Sequence, residues 1–590
     1  MKKNNNDMRR ELTVFILCFM AATSAYAQVQ SDIETIMAVI GTADIEDADQ
    51  SEVERLSVLL EKPVKVNQTT FSRLVSTGLF SQYQAASILD YRKRHGDIMS
   101  FAELALVDGF NEGFIHLVRP FIDLSSALYS TGESGRKNNE LRIRTGTRTG
   151  DEFTWNYAMK YETESYAGVS AGLAVSRSSS ADSGLPDSFS ANVIYESVKA
   201  PVRLIAGDYN ARFGQGLAMW NGMSVSGFSS PSTFLRRPSA YSGSSSFTGN
   251  YALTGTASSM YLDNLVVNVS LAFPGVKTVR SSPDKVSVLP LMNITWNRRN
   301  GQMGVTHYLD FRSEVNDMKT SFDMAWCIRG TDIFAEIAYD WKGKVPAGLA
   351  GASFQVGESF RVAAMARAYP PKYGSERSGA QRSTTKCSNE YAMTFAAECL
   401  RPERTHIGTL SVDMAYFPES KENSSEGDRQ VKILASWQWT SDRMGLKVRL
   451  SERIRSWGQL NRTDLRMDVT VPIGELALNI RPNFLYCKSF AALIYAETAC
   501  VMKSFSAYIR AGVFKVDNWD DRIYVYERDA PGGFNVPAMY GRGVWGAATA
   551  SWKLTRSFKL YGRASYTAYP FMEKKKPGKA ELKLQCVLSF

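Results

Sequence analysis

Apolar and polar residues alternate strictly over the last twelve residues of the chain. One side of this stretch carries Ala580, Leu582, Leu584, Cys586, Leu588 and Phe590, and the other carries Lys579, Glu581, Lys583, Gln585, Val587 and Ser589. A period of two predicts a strand with one apolar and one polar face. Such a strand suits the half-buried edge of a soluble sheet, or the seam of an outer-membrane barrel between lipid and lumen.

The same alternation recurs throughout residues 140–590. Clear examples are residues 193–195, 202–207, 265–273, 332–341, 446–451, 465–471 and 558–566. A soluble β-sandwich shows this pattern over roughly 100 residues, and a propeller would show repeats of roughly 40 residues, which are absent. The pattern predicts a mainly β fold, a large transmembrane antiparallel β-barrel. With spanning strands of roughly 9–11 residues plus their connections, about 24 strands fit.

Two stretches of this region do not alternate, residues 207–217 and 526–543. Both are rich in glycine, which permits bends and close approach of the backbone. They also hold charged residues of opposite sign close together, and we expect these to form ion pairs inside the lumen. The residues concerned are Asp208 with Arg212 and Glu527 with Arg528.

The first 27 residues have the pattern of a secretory signal peptide. Basic residues precede an apolar run, residues 12–22, and Ala25-Tyr26-Ala27 forms a small-x-small cleavage site. The run is shorter than the roughly 20 residues that a membrane-spanning helix needs. In addition, the terminal aromatic Phe590 resembles the membrane-insertion signal that barrel-insertion machinery reads. Export, alternation and Phe590 together predict an outer-membrane location.

Residues 28–128 have a helical period instead, and a polar linker at 129–139 separates them from the barrel at 140–590. Asn67, Ser81 and Ser100 are predicted helix N-caps. Glycines at 78 and 109 interrupt the helical pattern. The core of this region, residues 63–123, is therefore predicted to contain two successive units of helix, glycine turn and helix.

This core resembles the tandem helix-hairpin-helix domain of competence-type (ComEA-like) DNA-binding proteins. The resemblance rests on Val66-Asn67, Thr77-Gly78-Leu79, residues 88–92, residues 101–104 and residues 107–110. It implies that the turns Gly78-Leu79 and Gly109-Phe110 present backbone N–H groups to a phosphate, as helix N-termini do. Both turns lack the second glycine of the family pattern, which hinders close backbone approach. Arg92, Lys93 and Arg94 form the accompanying basic cluster.

The net charge of the chain also changes sign between the helical region and the barrel. Residues 28–128 hold 8 Lys and Arg against 15 Asp and Glu, a net of −7, whereas residues 129–590 hold 57 against 42, a net of +15. A net negative domain is wrong for counterion-release binding to DNA. Opposite signs favour docking of the helical domain against the barrel mouth. The positive barrel is explained either by loops that meet anionic lipopolysaccharide or by a lumen that favours anionic solutes.

Catalytic chemistry has little support in the sequence. The chain has four histidines, and His307 is the one whose neighbourhood, with Asp310 or a cross-strand serine, resembles a hydrolase arrangement. Metal-ligand spacing and a phosphate-binding loop are absent from the sequence. We therefore predict no enzyme, no catalytic residue, no cofactor and no metal.

Most of the chain resembles Bacteroidota-type envelope proteins that join a helix-hairpin-helix domain to an outer-membrane barrel. The resemblance implies architecture and location, with the helical domain in the periplasm. The predicted function is transport or envelope assembly, with the helical domain docking at or plugging the barrel mouth. DNA uptake, with that domain as the DNA receptor, is the alternative, and an outer-membrane hydrolase is the third hypothesis. Expected partners are outer-membrane lipid, lipopolysaccharide, the insertion machinery and a periplasmic protein, with the chain itself a monomer.

Overall fold

A computed structural model describes most of the chain beyond the predicted signal peptide, which lies outside the described residues, as does most of the predicted linker. The described residues are 35–40, 46, 50–126, 138–150, 153–165, 168–177, 185–197, 200–222, 230–247, 252–275, 287–311, 317–357, 359–374, 376–400, 405–421, 426–441, 443–458, 461–473, 476–573 and 576–590. Within them, no helix is long and apolar enough to cross a bilayer.

The N-terminal part is helical. After a helical stretch at 35–40, its helices are α1 (Gln50–Glu61), α2 (Phe71–Ser76), α3 (Gln82–His95), α4 (Phe101–Leu104) and α5 (Glu112–Val118). The strands β1 (Val64–Lys65) and β2 (Ile122–Asp123) pair in parallel and bring the two ends of this region together.

The predicted caps are correct at two of three positions. The side chains of Ser81 and Ser100 accept hydrogen bonds from backbone N–H groups of α3 and α4, and Ser81 forms a capping box with Gln84. The prediction for Asn67 is wrong, because Thr70 caps α2. Asn67 is buried, and its side chain amide donates to the carbonyls of Ile98 and Leu124 at 2.9 Å each. It therefore ties both ends of the helical region together.

The rest of the chain is β structure. Its first half contains β3 (Asn138–Thr149), β4 (Thr154–Glu164), β5 (Val169–Arg177), β6 (Ser188–Glu196), β7 (Val202–Arg212), β8 (Ala240–Gly243), β9 (Leu253–Leu262), β10 (Leu265–Ala272), β11 (Leu289–Arg298), β12 (Gly301–Asp310), β13 (Asp317–Ile328), β14 (Thr331–Asp340), β15 (Val345–Val356) and β16 (Phe360–Tyr369). Its second half contains β17 (Glu390–Leu400), β18 (His406–Phe417), β19 (Asp428–Thr440), β20 (Gly445–Arg455), β21 (Arg462–Ile473), β22 (Leu476–Tyr486), β23 (Phe490–Val501), β24 (Phe505–Val516), β25 (Ile523–Tyr524), β26 (Ala538–Met539), β27 (Gly541–Lys553), β28 (Phe558–Ala568) and β29 (Lys579–Ser589).

Twenty-four of these strands close a single antiparallel barrel, which confirms the predicted fold class. The ring runs through β3–β7, β9–β24 and β27–β29, and it closes where β29 pairs with β3. At that seam Phe590 and Asn139 exchange backbone hydrogen bonds of 3.0 Å in both directions. The first barrel strand begins at Asn138, inside the predicted linker.

The two faces of the wall differ in chemistry. On β29 the outward set includes Leu582, Leu584 and Leu588, which are 49%, 46% and 37% exposed, whereas Gln585 on the other face is buried. β14 repeats the arrangement, with Ile337 exposed and Glu336 buried. Apolar side chains outside and polar side chains inside are what a barrel needs when it is surrounded by lipid. The architecture is that of an outer-membrane β-barrel.

The two rims of the barrel differ in the length of their connections. One rim has short turns of two to five residues, such as 263–264, 299–300 and 329–330, and the chain also enters β3 there. The other rim carries the long connections 213–239, 370–389 and 517–540. We refer to these as the short-turn rim and the long-loop rim.

Candidate functional site

The helical region lies inside the ring, against inward-facing side chains of the wall. Its own buried core is continuous with barrel residues that include Ile205, Val266, Leu291 and Tyr308. The ring of Phe71 on α2 stacks on Tyr261 of β9, with centroids 3.8 Å apart and planes at 15°. Helices and barrel therefore share one apolar core on the β7–β12 side.

Polar contacts fix the helices near the short-turn rim. Lys62 pairs with Glu140 at 3.0 Å, and Arg73 pairs with Glu164. Arg203 of β7 donates to the carbonyl of Ser72 at 3.0 Å. These wall residues lie at the ends of their strands that join the short turns. The helical region is therefore held at that rim.

Glu46 reaches further in, between two strands on the other side of the barrel. Its carboxylate lies 3.1 Å from Arg466 of β21 and 3.0 Å from Arg481 of β22, and it accepts the N–H of Tyr526 at 3.0 Å. Burial alone would raise the pKa of Glu46, but the two guanidinium groups and the N–H lower it to about 2. The ionised carboxylate is the form that this site binds.

Two further carboxylates of α1 bind basic residues of the barrel. Glu52 contacts its helix neighbour Arg55 and also Arg212 of β7. Burial opposes ionisation there, yet the two guanidinium groups hold the pKa of Glu52 well below its usual range. Glu54 lies 3.5 Å from Lys160 and 3.9 Å from Arg142. Acidic helices thus meet a basic inner wall, as the opposite net charges suggest.

The inward bend at β7 brings the first long loop into the lumen. The rim-side half of β7 pairs with β6 and β9, but residues 209–212 pair with β8. The change occurs at Gly207, whose φ is +101° and where a Cβ would lie 2.2 Å from the carbonyl oxygen of Ala191. Only glycine fits this bend. Beyond it, Glu336 of β14 accepts backbone N–H groups of residues 215, 217 and 218 at 2.7–3.1 Å.

The second long loop, 370–389, packs on the first. Tyr373 donates its hydroxyl to the carbonyl of Leu217 at 2.9 Å, and the N–H of Trp220 donates to the carbonyl of Arg377 at 2.9 Å. Arg377 in turn pairs with the buried Asp310 of β12 at 2.7 Å. The two loops therefore form one layer against β12–β17.

The third long loop, 517–540, follows the opposite wall. Arg510 of β24 donates to the carbonyl of Tyr526 at 2.6 Å, and Lys583 of β29 pairs with Asp529 at 2.5 Å. The carbonyl of Pro531 accepts from Arg144 and Gln585 at 3.0 Å each. Since Tyr526 also binds Glu46, this loop links the wall to the helical region.

The residues predicted to pair inside the lumen all lie there, with partners on other elements. Arg212 binds Glu52, and Asp208 accepts from the N–H of Ala191 at 2.9 Å and from Thr254 at 2.6 Å. Glu527 binds Arg563 and accepts from the indole of Trp545 at 2.7 Å, and Arg528 lies 3.4 Å from Glu497. Each charge meets a residue from another element, which local spacing does not reveal.

The predicted phosphate-binding turns are occupied by contacts of the protein itself. Leu79 and Phe110 are buried, and the N–H of Gly78 donates to the carbonyl of Val75 at 2.9 Å. Gly109 has a φ of +86°, and a Cβ there would lie 2.3 Å from the ring of Tyr83.

The basic cluster is divided between two surroundings. The Arg92 guanidinium donates to the carbonyls of Val66, Asn67 and Thr69 at 2.6–3.2 Å, so it holds the fold of the helical region. Arg94 pairs with Asp90 on the surface of α3, and Lys93 is exposed. The three side chains do not converge on one position.

His307 and Asp310 lie on opposite faces of β12. His307 contacts Thr320 of β13 at 2.9 Å, and the indole of Trp341 donates to the same hydroxyl at 2.9 Å. Asp310 is buried inside and binds Arg377. The suggested His307–Asp310 pair is therefore wrong, because residues three apart on a strand point to opposite sides. Within the described residues, no group of three or more His, Cys, Asp or Glu side chains could hold a metal ion.

Sequence reasoning missed the residues that join the two regions, above all Glu46, Glu52 and Glu54. Their acidic neighbourhood and the opposite net charges were the available signal, and they indicated docking without naming partners. Arg466 lies in the alternating stretch 465–471, and nothing local in the sequence distinguishes it or Arg481 from other inward arginines.

Known proteins match the chain in sequence over a short stretch. No protein-family model matches the chain. It is similar to the rat and mouse (Rattus norvegicus and Mus musculus) endonuclease/exonuclease/phosphatase family domain-containing protein 1, with 36% identity over 63 residues in each case. That stretch is 11% of this chain, and the chain spans only 11% of the length of these curated relatives.

Solved structures with similar architecture are large barrels. The P pilus usher (PapC) translocation pore matches with a TM-score of 0.39 and 8% identity, over 77% of this chain and 99% of that chain. The siderophore receptor PirA from Pseudomonas aeruginosa matches with a TM-score of 0.39 and 8% identity, over 77% and 80%. The identification as a barrel rests on the strand pairing of this chain itself.

Proposed function

We propose that the protein is an outer-membrane transport protein and that its N-terminal helical region is a plug at the periplasmic mouth. Short turns are typical of the periplasmic rim of bacterial barrels and long loops of the extracellular rim. On that rule the helical region sits on the periplasmic side. The observation that carries the proposal is the set of ion pairs from Glu46, Glu52 and Glu54 to opposite sides of the inner wall.

The chemistry of the interface supports a plug that can be displaced. The charge contacts join side chains that water can solvate once they separate, whereas an apolar interface would expose its surface on opening. The stacked pair Phe71–Tyr261 and the shared core lie on one side, β7–β12. The other side is held mainly through Glu46 and loop 517–540. A displacement that breaks the Glu46 contacts while keeping the apolar side would open a path along β21 and β22.

Planar-bilayer conductance of the full chain tests this proposal. We expect small or rare currents from the native protein, and larger or more frequent openings from the triple variant Glu46→Gln, Glu52→Gln, Glu54→Gln. Asp90→Asn is the matched control, because Asp90 forms its ion pair with Arg94 within the helical region. Equal conductance of native protein, triple variant and control would contradict the plug.

The DNA-uptake hypothesis gains no support from the contacts. Arg92 is engaged by three backbone carbonyls, and the turns at Gly78 and Gly109 are packed by Arg55 and Tyr83. Fluorescence anisotropy with labelled duplex DNA and the full chain in detergent is the test. We expect no binding at low salt, and salt-sensitive binding that is lost with Lys93→Gln and Arg94→Gln would reinstate the DNA hypothesis.

A further inference from the structure

A cavity of about 130 Å³ lies where the helical region, the first long loop and loop 370–389 meet. Four arginines line it, Arg55 from α1, Arg212 from β7, and Arg236 and Arg237 from the segment before β8. Glu52 is the one carboxylate among the described lining residues. Positive charge therefore exceeds negative charge around this cavity.

Several hydrogen-bonding atoms at this cavity have no partner among the described residues. They are Nε and Nη1 of Arg55, Nε2 of Gln381 and Oγ of Ser239. Gln381 and Ser239 are 8% and 5% exposed, so water outside the protein does not satisfy them. Buried polar groups in proteins are normally hydrogen-bonded. The arginine and glutamine nitrogens only donate hydrogen bonds, and the serine hydroxyl can donate as well as accept, so the set calls for an acceptor.

The arginines are held in place before any ligand arrives. Trp220 lies between Arg212 and Arg236, whose guanidinium carbons are 5.4 Å and 4.6 Å from its ring centroid. Arg237 lies over the ring of Phe114 of α5 at 4.5 Å. Burial, together with the nearby Arg382 and Arg212, lowers the pKa of Arg236 to about 10, although Cys387 and Tyr369 act in the opposite direction. An added anion would relieve this cost of holding several cations together.

We propose that this cavity binds one small oxyanion, of the phosphate, sulfate or carboxylate class, between Arg55 and the arginines of the first long loop. Guanidinium groups match the geometry of such anions through paired N–H donors. A water occupies about 30 Å³ of liquid, so the space admits a small ion with a few waters.

The bound anion would join the helical region to the barrel. Arg55 belongs to the former, whereas Arg212, Arg236 and Arg237 belong to the latter, and a shared anion replaces repulsion with attraction. A ligand that binds only the docked arrangement stabilises that arrangement. This coupling rests on the contacts described above and does not require the barrel to conduct.

Equilibrium dialysis of the detergent-solubilised full chain tests the site. Radiolabelled phosphate, sulfate and succinate are compared at constant ionic strength set with sodium chloride. We expect one bound oxyanion per chain. Arg55→Gln and Gln381→Leu are expected to weaken it on the order of tenfold, the cost of losing a charged or buried hydrogen bond.

Arg94→Gln is the control, because it removes an equal charge from the exposed face of α3. Arg55→Lys keeps the charge but loses the paired donors, so we expect it to bind more weakly than native and more tightly than Arg55→Gln. Circular dichroism verifies the β content of every variant. Absence of saturable binding to the native chain, or equal weakening by Arg94→Gln, would overturn the proposal. A conductance result of either sign leaves this measurement unaffected.

Discussion

Glu46 and Arg466 are separated by 420 positions in the sequence, yet the glutamate carboxylate lies 3.1 Å from the guanidinium group. The pair joins the helical region to a strand on the far side of the ring. Both groups are buried in one ion-pair network, in which Glu46 and Asp468 together compensate Arg466 and Arg481. Substitution of Glu46 therefore tests directly whether this contact holds the helical region against the barrel.

Replacing Glu46 with glutamine should loosen the helical region. The change removes one of the two carboxylates, Glu46 and Asp468, that compensate Arg466 and Arg481, and breaking a buried pair typically costs about 3–5 kcal/mol. Hydrogen–deuterium exchange over residues 50–126 should accelerate, while exchange in the barrel strands stays unchanged. Asp90→Asn, which alters an exposed pair within the helical region, should leave the exchange rates close to native.

The docked state should weaken in acid. Glu46 has a pKa of about 2 when docked and 4.5 as an ordinary glutamate. A lowered pKa means that the stabilisation is complete above pH 4.5 and is lost as the pH falls towards 2. Exchange rates of residues 50–126 should therefore be constant from pH 7 to 5, after correction for intrinsic exchange, and rise below that range.

Glu52 shifts in the same direction, so the acid response has two sources. Glu46→Gln should reduce the pH dependence, and the double variant with Glu52→Gln should remove most of it. A double variant with the full native response would show that other carboxylates control docking.

Phe71→Ala should destabilise the apolar side of the interface. Phe71 is buried and stacks on Tyr261, and truncating a buried phenylalanine costs roughly 3–5 kcal/mol. Limited proteolysis of the full chain should then cut the helical region faster. Leu106→Ala is the comparison, because Leu106 is 76% exposed and its loss should change little.

A pair of glycine variants separates backbone strain from steric conflict. Gly96 and Gly109 have φ values of +87° and +86°, a range that disfavours alanine at both positions. A Cβ at Gly96 meets nothing within 4 Å, but at Gly109 it would lie 2.3 Å from Tyr83. Gly96→Ala should cost about 1–3 kcal/mol, because its ψ of −160° combined with a positive φ is adopted almost only by glycine, and Gly109→Ala should cost more because the clash with Tyr83 is added, as measured by exchange in the helical region. Equal effects would show that the Tyr83 ring moves aside freely.

The membrane-facing band can be tested at β29. Leu584 faces outward in the middle of its strand, and Leu554 lies in the turn between β27 and β28. Arginine on the lipid face costs about 2–4 kcal/mol at the midplane and about 0–1 near the interface. Leu584→Arg should therefore lower the unfolding free energy in lipid vesicles more than Leu554→Arg. If Leu554→Arg lowered the unfolding free energy more than Leu584→Arg, the membrane-facing band would not be centred on Leu584.

The strands of the barrel wall could be predicted because the alternation of apolar and polar residues is present within each strand. β29 and β14 alternate with a period of two, and this local rule holds whichever neighbours the strands have. The contents of the lumen were not predictable in the same way. The partner of Glu46 depends on ring closure and register, and the partner of Arg212 is Glu52 of α1, which precedes it by 160 positions. Asn67 is a further example, because the sequence does not distinguish an asparagine that caps a helix from a buried asparagine that hydrogen-bonds distant carbonyl groups.

The stretch 127–137 that joins the helices to β3 sets how far the helical region can travel. From Ser126 to Asn138 a fully extended chain reaches at most about 40 Å, at roughly 3.5 Å per residue. A displaced helical region therefore stays beside the mouth at an effective concentration on the order of millimolar. In the proposed plug, opening is a displacement of a tethered region, and the region rebinds the barrel in an intramolecular step. If the helical region is the proposed plug, a partner that holds the barrel open must compete with this tethered region for the same inner wall.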